Sequence, residues 1–207
     1  MNSLLIHGVY DLPTFQTLSQ IGIAQFGFDM RGRSRNFIPF KDLNFLLSRL
    51  IVPRAFLIFE DDKKETIFSF LNILKDAPIK LILEFRDNQD AQFYQSIDHD
   101  FVWMYRPGSD WKKILSCEKL VGIILPYQWR EHYQDMSLLW ETIEKRNLEV
   151  FIHAENLEEA ISIPHAQDIK LSIDLTLEVE KGFRDVDQDL LKKSPLWSNY
   201  HENFTRQ

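Results

Sequence analysis

Glycine is scarce in this chain. Its 207 residues include 7 glycines, where ordinary usage of about 7 % would give roughly 14. They stand singly at Gly8, Gly22, Gly27, Gly32, Gly108, Gly122 and Gly182, so no glycine-rich phosphate loop can form. Cysteine is scarcer still. Cys117 alone excludes an internal disulfide framework and a multi-cysteine metal site, and points to a reducing, cytoplasmic setting. An excess of positive charge is also missing. Lys and Arg number 24 against 31 Asp and Glu, a formal net charge of −7, which argues against nucleic acid or an anionic membrane as partner. No run of about 18 apolar residues could span a bilayer. The N-terminal segment lacks the basic start and long apolar stretch of a secretory signal.

What is present suits one soluble globular domain: 44 % hydrophobic and 27 % charged residues are enough to build a core at this length. Short apolar runs rich in Ile, Leu, Val and Phe recur at Leu4–His7, Gln25–Met30, Ala55–Phe59, Lys80–Phe85, Phe101–Tyr105, Val121–Leu125, Val150–His153 and Lys170–Leu175. They read as strands buried on both faces. Amphipathic stretches lie between them. Asp11 and Pro13 make a helix start that Gly22 stops. Ile67, Phe70, Leu71 and Leu74 follow the i, i+3, i+4, i+7 spacing, as do Met136, Leu139, Trp140 and Ile143. Shorter helices are expected after Phe40, Asn88, Gly108, Asn156 and Arg184. Eightfold strand–helix alternation in about 200 residues predicts a single compact (β/α)8 barrel over residues 1–193, with an aromatic tail at 194–207. Periodicity alone leaves an open doubly wound sheet as the alternative.

Two segments carry a family pattern. The first is Leu5-Ile6-His7-Gly8-Val9, then Ile21-Gly22-Ile23-Ala24-Gln25-Phe26-Gly27-Phe28-Asp29-Met30, closed by Ser34-Arg35-Asn36-Phe37-Ile38. The second is Asp174-Leu175-Thr176-Leu177-Glu178-Val179-Glu180 followed by Gly182-Phe183-Arg184-Asp185. In order and distance they resemble the opening and closing segments of phosphoribosylanthranilate isomerase, a (β/α)8 barrel of tryptophan biosynthesis. That family opens K-I-C-G, continues A-G-A-D-x-x-G-F-V-F to S-P-R-x-I, and closes D-V-S-S-G-V-E … P-G-x-K-D. The resemblance implies the barrel fold and, for the parent family, an Amadori-type rearrangement that needs one acid and one base.

The family's functional residues are mostly replaced. Its catalytic cysteine, the general base, falls on His7. Its catalytic aspartate falls on Leu125 or Pro126, neither of which carries a proton. Its substrate arginine aligns with Asn36, next to Arg35. Its phosphate glycines fall on Ala154-Glu155 and on Glu178. An imidazole can still serve as a base, but loss of the acid removes a factor of about 10²–10⁴. Glutamate in place of a phosphate-cradling glycine adds bulk and like charge. Two unit charges about 4 Å apart repel by roughly 4 kcal/mol at an effective dielectric of 20, about three decades of affinity. The resemblance therefore implies a barrel that has lost the parent activity and acts as a binding or regulatory protein. The alternative is a working isomerase, or another reaction on the same barrel, with His7 as base.

In such a barrel chemistry sits at the C-terminal strand ends, where the sequence places His7, Asp29, Glu84, Tyr105, His153, Glu155, Asp174 and Thr176. His7 stands at the family's base position. Glu84, His153 and Asp174 are ligand-binding candidates. Strand-end His, Asp and Glu could hold a metal or form a proton-transfer pair, or make only a hydrogen-bonded polar rim. Neither a metal nor a cofactor is assigned. Arg31, Arg33 and Arg35 alternate after the second strand and could grip a small anionic ligand, or be solvated loop charges. In the tail, Trp197, Tyr200 and Phe204 share one helical face, suited to a homodimer or partner contact or to covering the barrel's own surface.

Overall fold

The computed structural model describes residues 4–49, 54–87, 89–128, 136–163, 169–175, 179–182 and 184–194. Eight parallel strands close into one barrel in the order β1 to β8: Leu4–His7, Gln25–Asp29, Arg54–Phe59, Lys80–Phe85, Phe101–Met104, Leu120–Pro126, Glu149–Ala154 and Ile169–Asp174. β1 pairs with both β2 and β8, with His7 opposite Gly27 on one side and Asp174 on the other. Each expected strand is present, with ends moved by one residue at most, and closure excludes the open sheet. Thr176, Glu178, Trp197, Tyr200 and Phe204 lie outside the described residues.

A helix follows each strand. α1 to α8 are Leu12–Gln20, Phe40–Leu47, Lys64–Ile73, Ala91–Gln95, Trp111–Ile114, Ser137–Arg146, Leu157–Ser162 and Gln188–Lys193. The caps explain where several of them begin. Asp11 accepts from the Thr14 backbone N–H, Asp90 from Phe93, Asn156 from Glu159, and Asp187 from Asp189 and Leu190, each satisfying donors that the first turn leaves open. α6 ends on Asn147 in the left-handed conformation, a conformation asparagine tolerates. A short antiparallel pair, β9 (Glu180–Gly182) and β10 (Asp185–Val186), precedes α8.

Strand parity divides the molecule. Alternate residues such as Phe26, Phe28, Leu57 and Phe85 pack outward against the helices. Phe85, Phe93, Tyr94, Phe101 and Trp103 form an edge-to-face aromatic cluster there. The inward set at mid-height, Leu5, Phe56, Ile82, Val102, Met104, Ile124 and Phe151, forms a second core made of strand residues alone. Below this apolar plug, Arg54 reaches from β3 to Glu149 on β7 with two bonds of 2.8 and 2.6 Å, and Lys170 joins at 2.9 Å. Burial pushes the Glu149 carboxyl up, but these two cations outweigh it and hold it below its ordinary value. Above the plug, at the C-terminal ends, the inward positions become His7, Glu84, His153, Ser172 and Asp174.

One glycine makes that upper layer fit. A Cβ added at Gly27 would lie 2.1 Å from Cδ2 of His7, so the imidazole rests directly on the β2 backbone. Gly27→Ala is expected to destabilise the fold by about 1–3 kcal/mol in urea unfolding, the usual cost of overpacking. In the His7→Ala background the same substitution should cost markedly less, giving a coupling energy that the double-mutant cycle reads directly.

Candidate active site

Arg86 fills the mouth of the barrel. It follows β4 by one residue and continues the inward alternation of Ile82 and Glu84, with only 5 % of its surface exposed. Its Nε donates to Glu84 Oε1 at 2.7 Å, and its two terminal nitrogens donate to Asp174 at 3.0 and 2.9 Å. One of those nitrogens also stands 2.6 Å from His7 Nδ1. A guanidinium can only donate, so in this arrangement Nδ1 carries the lone pair and His7 is neutral. His7 Nε2, which then carries the ring's hydrogen, faces Glu84 Oε2 at 2.8 Å. Four titratable groups thus meet, three of them buried and Asp174 partly exposed.

Their protonation follows from that burial. Burial alone would raise the Glu84 carboxyl, yet the charges of His7 and Arg86 drive it down to about 2. Asp174 is likewise held well below the usual carboxylate range, because Arg86 outweighs its desolvation. Burial lowers His7, but Glu84, Asp174 and their contacts outweigh burial and the Arg86 charge, so it titrates above its ordinary 6.5. The neutral arrangement belongs to the alkaline side of that titration. For the protonated form, Asp174 Oδ1 lies 3.3 Å from Nδ1 and favours the added charge, which Arg86 opposes. His153 behaves oppositely. Burial and then Arg86 push it down to about 4, leaving a neutral imidazole whose Nδ1 lies 3.1 Å from Ser172 Oγ. Ser172 Oγ in turn lies 3.3 Å from His7 Nδ1.

The residues expected at the mouth from the sequence divide into two groups. His7, Glu84, His153 and Asp174 converge. Donor atoms of His7, His153 and Asp174 lie within 4.8 Å of one another, but the Arg86 guanidinium stands where a metal ion bridging His7 and Asp174 would sit. The arginines of the β2–α2 loop are elsewhere. Arg31 forks onto Asp29 at 2.8 and 2.6 Å, with Ser34 on the same carboxylate at 2.5 Å. Arg35 forks onto Glu180 at 2.9 and 2.6 Å, and Tyr10 donates to the other Glu180 oxygen at 2.9 Å. Arg33 is exposed. Tyr105, expected at the mouth, belongs instead to the helix-facing core, edge-to-face with Trp103, and the Arg106 side chain reaches the Arg86 carbonyl.

Arg86 lies outside the residues expected at the mouth, although the sequence carries a signal for it. β2 ends Asp29-Met30-Arg31 and β4 ends Glu84-Phe85-Arg86. In both, an inward carboxylate captures the arginine two residues later, the spacing that keeps both side chains on one face of an extended chain.

Neither family profiles nor curated proteins give a match to this chain by sequence. Solved structures do match by fold. Monomers of the dimeric phosphoribosylanthranilate isomerase from Thermotoga maritima give a TM-score of 0.69 over 98 % of this chain and 100 % of that chain, at 16 % identity. The enzyme from Thermus thermophilus gives 0.66 over 98 % and 100 %, at 14 % identity. The enzyme from Thermococcus kodakaraensis gives 0.65 over 97 % and 99 %, at 12 % identity. An HpcH/HpaI aldolase from Desulfitobacterium hafniense also matches, at 0.58 over 84 % and 85 % with 8 % identity. The likeness is one of fold, and the barrel hosts many chemistries. Among the described residues no helix is long and apolar enough to cross a membrane.

Two outcomes follow from the mouth's charges. Arg86→Met leaves the buried Glu84 and the partly exposed Asp174 with too little positive charge, and should cost about 3–5 kcal/mol in denaturant unfolding. Stability should also peak near neutral pH. His153, depressed in the folded state, contributes stability that is present above pH 6.5 and lost as pH falls toward 4, roughly 3 kcal/mol across that window. His7, raised in the folded state, contributes stability that is present below pH 6.5 and lost as pH rises through its folded value. Unfolding at a series of pH values should show His153→Gln flattening the acid limb above pH 4 and His7→Gln flattening the alkaline limb.

Proposed function

We propose that this chain is a phosphoribosylanthranilate-isomerase-like barrel that no longer runs that isomerisation and serves as a binding or regulatory protein. The observation that carries this reading is the seating of Arg86. An Amadori-type rearrangement needs a base with a free lone pair and an acid with a proton to give. The lone pair of His7, the residue at the family's base position, lies 2.6 Å from a guanidinium nitrogen. The family's acid position falls on Leu125 or Pro126, neither of which carries a titratable proton. The carboxylates nearest His7 are bonded to Arg86 and held ionised far below neutral pH, so neither is an acid at pH 7. Arg35, next to the family's arginine position, is forked onto Glu180. A cytoplasmic setting accords with Cys117 being a buried free thiol.

The opposite reading, a working enzyme with His7 as base, draws on the same residue, because Glu84 and Asp174 raise its basicity. It requires Arg86 to leave before any substrate proton could reach Nδ1. Growth of a tryptophan auxotroph lacking the isomerase separates the two. Expression of this chain is expected to give no rescue, and the purified protein to turn over phosphoribosylanthranilate no faster than its His7→Ala variant. Robust rescue that His7→Ala abolishes would overturn the proposal.

A further inference from the structure

We infer that His153 presents an Nε2–H donor to the mouth of the barrel and that its partner is the carbonyl oxygen of an uncharged ligand. This rests on the reading above only in taking the mouth as the place where a ligand binds.

The argument is a balance of donors. His153 lies on β7 two residues beyond Phe151, which belongs to the apolar plug, so its ring stands inside the barrel at the C-terminal end. Ser172, on the neighbouring strand and directly paired with it, places Oγ between two imidazole nitrogens, 3.1 Å from His153 Nδ1 and 3.3 Å from His7 Nδ1. The His7 lone pair is already taken by the shorter contact from Arg86. The single hydroxyl hydrogen of Ser172 therefore goes to His153 Nδ1, which must accept. A neutral imidazole that accepts at Nδ1 carries its proton on Nε2. The hydrogen position is assigned from this balance of partners, as it must be for any histidine tautomer.

The ring stays neutral, because burial and the Arg86 charge both disfavour its protonated form. Its Nε2 has no partner among the described residues, and it is not among the enclosed polar atoms left without one. Only 8 % of the residue is exposed. The donor is thus reachable but held in a largely dry wall, where a hydrogen bond is worth more than in water.

Charge selects the partner's class. Asp174, whose side chain is 36 % exposed, and Glu84 lie close enough to act on His153 electrostatically. The cation that could offset an incoming anion, Arg86, is already bonded to both of them. A carboxylate or phosphate entering here would be repelled. An uncharged carbonyl meets a fixed dipole and no opposing charge. A neutral imidazole N–H in such a place can also polarise the carbonyl it binds.

Nitrogen-15 correlation spectra of the labelled protein at pH 8 read the tautomer directly. His153 is expected in the Nε2–H form, and Ser172→Ala, which removes the hydrogen given to Nδ1, is expected to mix the two tautomers. Acetamide should shift the His153 Nε2 signal saturably, and acetate at the same concentration should shift it less. In His153→Phe the acetamide response at the Ala154 and Asp174 amides should vanish, whereas His153→Gln, which keeps an N–H donor, should retain part of it. An Nδ1–H tautomer, no response to acetamide, or tighter binding of acetate would each overturn the inference. These spectra are independent of turnover, so their failure leaves the outcome of the auxotroph experiment standing, and the reverse holds as well.

Discussion

The upper half of this barrel depends on one buried cation. The Arg86 guanidinium bonds Glu84 and Asp174 at 2.7 to 3.0 Å. Without it, two carboxylates on nearly opposite parts of the barrel would face each other in a low-dielectric space. Burying an unpaired carboxylate costs several kcal/mol, so the alternative to Arg86 is a protonated pair or a wetter, wider mouth. The guanidinium also fixes the imidazole of His7 from the far side, and that imidazole in turn demands a glycine at position 27. A single side chain therefore sets the ionisation of two acids, the tautomer of one histidine and the identity of a residue on another strand.

The molecule is built as an apolar plug between two ionic layers. At the lower end Arg54 spans from β3 to Glu149 on β7, and at the upper end Arg86 spans from β4 to Asp174 on β8. Both bridges tie strands that are far apart in the closed sheet, across the interior rather than around it. Such crossings favour a unique arrangement of strands more than they add to stability, since a buried ion pair roughly repays its own desolvation. Six aliphatic and aromatic residues and Met104 between the layers supply the apolar burial that stabilises the closed form.

The strands were legible from the sequence because each is buried on both faces and so reads as a continuous apolar run. Caps such as Asp11 and Asn156 marked helix starts for the same local reason. The placement of His7, Glu84, His153 and Asp174 at strand ends of a barrel was legible, but their convergence was not. What those residues do together was not legible. That depends on Arg86, which lies one residue past the apolar run of β4, where the hydrophobic signal has stopped but the backbone still alternates. The loop arginines mislead in the opposite sense. Arg31 and Arg35 look available in the sequence because their partners, Asp29 two residues back and Glu180 at a separation of 145, are ordinary surface-type residues until the fold encloses them.

The same geometry shows how far the fold is independent of its side chains. The barrel matches isomerase structures over nearly its whole length at 16 % identity or less, so backbone closure tolerates almost complete replacement of side chains. Inward residues at mid-height are constrained by volume alone and can vary within the aliphatic and aromatic set. Those at the mouth are constrained by charge balance, which admits more than one solution. One is a set of groups left partly unpaired until a ligand arrives, and that is what catalysis requires. This chain holds the other, in which Glu84, Asp174 and His7 are matched by Arg86 before any ligand is present. Against that matched set, the neutral His153 Nε2 has no partner among the described residues, which is why a ligand's oxygen is the group proposed to meet it.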